Sequence, residues 1–184
     1  MPDPKLQEIL AKSEEEVWDV VRKTLPGSNC LKTHTAAAVV RCDEAEGIYR
    51  ILSIGVNACA PTGKTYDSKL DACPRMDIKT GTNYGLCASL HAERSACLNI
   101  REGRTVKDEA VFASHLNAQE SEILSAFTPE ELKLLNGASL YLVGHYWSCE
   151  SCVSFLKTVG ITDIKLDKLT GGKTKSAYES KKIC

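Results

Sequence analysis

Apolar residues Leu6, Ile9, Leu10, Val17, Val20, Val21 and Leu25 recur at the spacing of one helical face, and predict an N-terminal helical segment over 1–27 that Pro26-Gly27 ends. Ser13 and Glu16 stand in capping-box spacing, which divides the stretch into two helices. The runs TAAAVV (35–40) and IYRILSIGV (48–56) are apolar and partly β-branched, and the acidic turn Asp43-Glu44-Ala45-Glu46-Gly47 lies between them. They predict a strand hairpin. Residues 57–87 carry Pro61, Gly63, Pro74, Gly81 and Gly85 with little periodicity, and read as a long loop bordering a site.

Periodicity resumes with Leu90, Ala92, Ala96, Cys97 and Ile100, a helix with His91 in its first turn and Gly103 at its close. AVFAS (110–114) predicts a short strand. Thr128-Pro129-Glu130-Glu131 supplies an N-cap, an N1 proline and two first-turn acids for a helix to Leu135, which Asn136-Gly137 stops. SLYLVG (139–144) is the clearest strand, followed by a helix over 149–158 and a last strand, ITDIKL (161–166). Strand, helix, strand at this spacing predicts a parallel crossover and an α/β fold.

Composition narrows the function classes. The 184 residues suit one domain, and 43% hydrophobic with 26% charged residues is the balance of an ordinary globule. A formal net charge of −1 gives no whole-chain basic field for nucleic acid or an anionic membrane, so a small molecule is the expected partner. No apolar run approaches the roughly 20 residues that span a bilayer, and MPDPKLQEIL has no signal-peptide pattern, so the chain is expected in the cytoplasm. Nine cysteines cannot all pair within one chain, which argues against a secreted disulfide framework and for thiols that bind metal. The tail over 167–184 is rich in lysine around Gly171-Gly172 and is expected to be mobile.

Two motifs carry the candidate chemistry: His91-Ala92-Glu93 at one helix start, and Cys149-Glu150-Ser151-Cys152 at the junction after SLYLVG. Two cysteines three positions apart reach one ion from a first helical turn, and a distant histidine makes three protein ligands, leaving a fourth position open as in catalytic zinc sites. Glu93, two residues from His91, is placed to move protons without being a ligand. Other readings of the cysteine pair are a redox dithiol and a closed structural zinc site completed by Cys87 or Cys97.

H-x-E followed by C-x-x-C resembles the signature of the zinc-dependent cytidine and deoxycytidylate deaminase superfamily. The resemblance covers about 35–166 and is strongest toward the deoxycytidylate branch, to which SIGVNACAPTG, CPR (73–75), TGTNYGLC (80–87) and HAERSACL are similar. It implies a three-layer α/β/α domain with a central mixed sheet of about five strands, one Zn2+ on His91, Cys149 and Cys152, and deamination of a cytosine nucleotide, dCMP foremost; the alternatives are a deaminase of cytidine, deoxycytidine, guanine or a polynucleotide base, and a non-catalytic zinc-binding interaction protein. Glu93 would move the proton between the attacking water, ring N3 and the departing ammonia. The Ala92 amide would hold the ring carbonyl, the Ser148 backbone would face the amine, and Asn57 would contact the sugar. It also implies a homo-oligomer. The chain departs from the pattern in two places: Ser148 stands where the family has proline, and 57 residues separate His91 from Cys149, implying an insertion at 106–136.

The remaining polar residues have plainer readings beside the functional ones. Cys30, Cys42, Cys59, Cys73, Cys87 and Cys97 are expected as small core residues rather than a second metal site. His34, His115 and His145 are individually weak signals. Tyr146 and Trp147 suit a stacking surface for a base or a core closure equally well. Arg75, Lys64, Lys69 and Lys79 lie in or near the long loop, as phosphate contacts or as solvated surface.

Overall fold

The predicted hairpin forms the middle of the sheet in a computed structural model that describes residues 9–28, 30, 32–59, 75, 77–79, 82–83, 89–101 and 119–169, with backbone alone at 58, 59 and 89. β1 (Ile9–Ala11), β2 (Ala36–Asp43) and β3 (Ile48–Val56) open the chain's strand order, and β2 pairs antiparallel with β3 from Ala36 opposite Val56 to Asp43 opposite Ile48. The turn is set by Asp43, whose Oδ1 accepts from the Ala45 and Glu46 amides, and by Gly47 at φ +63°. A bulge at Val39/Val40 leaves Leu52 of β3 without a partner on β2, so that Leu52 and Ser53 both face the α2 side while Ile51 faces the α1 side.

β6 (Ser139–Val143) pairs antiparallel with the other edge of β2, and β7 (Asp163–Leu166) runs parallel to β6, as the crossover pattern predicts. With β1 antiparallel on the outer edge of β3, the mixed five-stranded order is β1-β3-β2-β6-β7. A separate two-stranded ribbon joins β4 (Ala58–Cys59) to β5 (Ser89–Leu90).

Side-chain alternation along β2 and β6 builds one core on each face. Ala36, Ala38, Val40, Tyr141 and Val143 pack with Val17 and Val21 of α1 (Glu14–Thr24). Ala37, Val39, Leu140 and Leu142 pack on the opposite side under α2 (Ala92–Leu98), α3 (Glu120–Ser125), α4 (Pro129–Leu135) and α5 (Glu150–Thr158). Helices on both faces of the sheet make the architecture three-layer α/β/α.

Several expectations are corrected. Residues 9–11 are a strand, not part of a helix over 1–27: they sit beside β3, with Ile9 opposite Ile51 and Ala11 opposite Tyr49, where ladder hydrogen bonds outweigh the helical spacing of the side chains. Ser13 caps only α1, accepting from the Glu16 amide, while Glu16 reaches back to the Lys12 amide. The 167–184 tail begins with a fixed residue, because Asp167 is 3% exposed and takes two hydrogen bonds from the Arg22 guanidinium. Within 106–136, the described part holds α3 and α4, each opened by a capping box, at Gln119/Glu122 and Thr128/Glu131. The 110–114 strand, Gly103, most of the 57–87 loop and 170–184 lie outside the described residues. Among the described residues, no helix is long and apolar enough to cross a membrane.

Candidate metal centre

The two motifs meet because α2 and α5 lie against each other on one face of the sheet. His91 is the N-cap of α2 and Cys149 the N-cap of α5, each with extended backbone and each offering its carbonyl to the first helical bond, at 2.9 Å from Ser95 N and Val153 N respectively. Cys152 is one turn on. Arg94 Nη2 donates to the Ser151 carbonyl and to its hydroxyl, tying the two helix starts together.

Below α2 the sheet is cut away to receive it. A Cβ at Gly55 would lie 2.2 Å from Ala96 N, so only glycine admits the helix at this depth. Ser53 Oγ donates to the Ala96 carbonyl at 2.6 Å and Asn99 Nδ2 to the Ile54 carbonyl at 2.8 Å, fixing the helix on β3. Gly144, at φ +86° with the His34 carbonyl where a Cβ would go, turns the chain out of β6 toward Cys149.

His91 Nδ1 is 3.5 Å from Cys149 Sγ and 3.3 Å from Cys152 Sγ, and the three atoms all lie within 4.8 Å of one another. A tetrahedral ion with bonds of about 2.3 Å to sulfur and about 2.05 Å to nitrogen sets those atoms about 3.6 Å apart, so the donor set fits zinc with little movement. Among the described residues no fourth His, Cys, Asp or Glu joins the group. Cys97 is buried in the main core instead, and Cys87 lies outside the described residues. Three soft and borderline donors with one position left over can hold a metal ion.

The group's electrostatics favour a charged sulfur. Cys149 is pushed down to about 3, first by the hydrogen bond from Cys152 and then by His91, against the opposing effect of burial. Cys152 is raised well above the ordinary thiol range by the same pairing and by burial. Without a cation the pair keeps one proton, on Cys152, and a bound cation would displace it.

Glu93 is 5% exposed, and its Oε1 accepts from Ser148 Oγ at 2.7 Å. Ala92, the first residue of α2, is fully buried. Asn57 precedes β4, whose Ala58 faces Leu90, the residue before His91. Its amide is engaged, with Oδ1 accepting from Ser28 Oγ and Thr35 N and Nδ2 donating to the Thr33 carbonyl. Just before Ser148, His145 and Tyr146 stack at 5.0 Å and Tyr146 meets Trp147 edge-on at 4.1 Å, all three half-buried. Burial lowers the His145 imidazole, partly offset by the nearby Glu93 charge.

Other candidates fall elsewhere. Arg75 is 6% exposed, with Nη2 on the Thr82 carbonyl and its own carbonyl taking the Lys32 ammonium, while Lys79 is exposed. Cys30 is buried and Cys42 is exposed, against the core reading for the latter. Lys64, Lys69, His115 and Cys73 lie outside the described residues, as do the side chain of Cys59 and all of Cys87. Sequence reasoning missed the Arg94–Ser151 tie and the Ser148–Glu93 bond, which join positions 57 and 55 apart and leave no local pattern to read. No protein-family model and no curated protein matches this chain.

Proposed function

We propose that this chain is a zinc-dependent hydrolase that deaminates a cytosine nucleotide, dCMP foremost, giving dUMP and ammonia. The observation that carries the reading is the pairing of a three-donor metal group with a buried, anchored carboxylate, Glu93, on the same helix start as the histidine donor. A zinc ion held by His91, Cys149 and Cys152 supplies the Lewis acidity that makes water nucleophilic near neutral pH.

The protein's own groups do the rest. Glu93 accepts a proton from the water as its oxygen bonds to C4, passes that proton to ring N3, and moves the second to the amino group, which leaves as ammonia. The Ala92 N–H binds the ring carbonyl, and the Ser148 backbone faces the amine. Asn57, held by Ser28, Thr33 and Thr35, sets the edge where the sugar lies. A small nucleotide is favoured over a polynucleotide because the chain carries a net charge of only −1. Assembly into a homo-oligomer belongs to the same reading.

The test is ammonia release by the zinc-loaded protein with dCMP beside CMP, deoxycytidine, cytidine, dCTP and guanine. Glu93→Ala should keep the zinc and the fold while losing at least about a hundredfold in turnover, the usual worth of a general acid–base group. An active Glu93→Ala protein, or silence across the panel, overturns the reading.

A further inference from the structure

We infer that the Ser148 side chain is the positioning group of Glu93, anchoring Oε1 and so fixing the direction in which the carboxylate points. The inference rests on the reading of Glu93 as the proton-moving group, and adds a role for the Ser148 hydroxyl distinct from that of its backbone. Both residues are almost fully enclosed, at 3% and 5% exposed, and Oγ lies 2.7 Å from Oε1. That is an ordinary length for a hydroxyl-to-carboxyl hydrogen bond.

The contact has a consequence for geometry. Ser148 precedes the N-cap of α5 and Glu93 lies in the first turn of α2, so the bond spans the two halves of the metal group. A glutamate side chain turns about three bonds, and holding one of its oxygens from the chain that enters α5 narrows the rotamers open to it. The bond uses one of the two lone pairs of Oε1 and holds the carboxylate plane from the side of the cysteine motif. Proline, the residue usual here in the family the chain resembles, has no side-chain donor, so this chain anchors its carboxylate in its own way.

The experiment combines kinetics with a double-mutant cycle on thermal unfolding of the zinc-loaded protein. Ser148→Ala should lower kcat about tenfold with KM within about twofold, and Ser148→Thr, which keeps the hydroxyl, should restore most of it. In the cycle, Ser148→Ala should lower Tm in the parent but shift it much less in a Glu93→Ala background, since the partner is already gone. Zinc content, measured alongside, should stay at one ion per chain in every variant. Additive Tm shifts, a kcat unchanged in Ser148→Ala, or a Thr variant as slow as the Ala one overturns the proposal. Non-additive Tm shifts in a protein silent on the whole substrate panel would leave the anchoring bond standing and remove the deaminase reading instead.

Discussion

Replacing Gly55 with alanine tests whether the close approach of α2 to β3 sets the metal centre. The added Cβ meets Ala96 N at 2.2 Å and the Ser95 carbonyl carbon at 2.5 Å, whereas ordinary van der Waals contact starts at 3.4 Å. Both obstacles are backbone of the helix that His91 caps and whose first turn carries Glu93, so the whole helix has to retreat by about 1 Å. It is held against that retreat by the Ser53–Ala96 and Asn99–Ile54 hydrogen bonds. Overpacking of this kind costs roughly 1–3 kcal/mol, which lowers Tm by roughly 2–12 °C in a chain of this size. On the proposed role of Glu93, a displacement of about 1 Å relative to α5 should lower turnover about a hundredfold. The assay is thermal unfolding, zinc affinity and turnover of Gly55→Ala beside Gly47→Ala, where φ is +63° but nothing lies within 4 Å of the new Cβ. The control should lose some stability and keep its zinc affinity and turnover. A Gly55→Ala protein that melts within about 1 °C of the parent and binds zinc as tightly refutes the reasoning.

Two further outcomes follow from the charged groups. Burial pushes the Tyr141 phenol up from 10.0 to about 12, so the neutral phenol's contribution to stability is complete below about pH 10 and is lost as pH rises through about 12; Tyr141→Phe should flatten that alkaline decline in Tm, and an unchanged slope contradicts it. Chelation should leave Cys149 as the reactive thiolate, since it is pushed down to about 3 while Cys152 is raised. At about pH 6, iodoacetamide should therefore label Cys149 ahead of Cys152 in the metal-free protein and neither in the zinc-loaded one, with equal labelling by peptide mass spectrometry as the contrary result.

The elements legible in the sequence are those whose own residues decide them. TAAAVV, IYRILSIGV and SLYLVG are short apolar runs bounded by turn residues, the pattern of buried strands, and Thr128-Pro129 carries its own helix start. Ile9–Ala11 is different: three residues gain a strand's hydrogen bonds only where β3 offers an edge, and their side-chain spacing fits a helix equally well. The β4–β5 ribbon, two residues on each side, is likewise decided by the approach of distant chain. The metal group was legible because thiol and imidazole spacing within each motif is local, even though the motifs come from different helices. The groups that aim and brace it, Ser148 on Glu93, Arg94 on Ser151 and Ser53 on α2, are common residue types whose roles exist only once the helices are packed.

The most direct test of the account is X-ray absorption at the zinc edge on the metal-loaded protein. The account predicts two sulfurs at about 2.3 Å and two nitrogen or oxygen neighbours at about 2.0–2.1 Å, one of them exchangeable, from Cys149, Cys152, His91 and a solvent position. A shell of three or four sulfurs, or a protein that takes up no zinc, contradicts it.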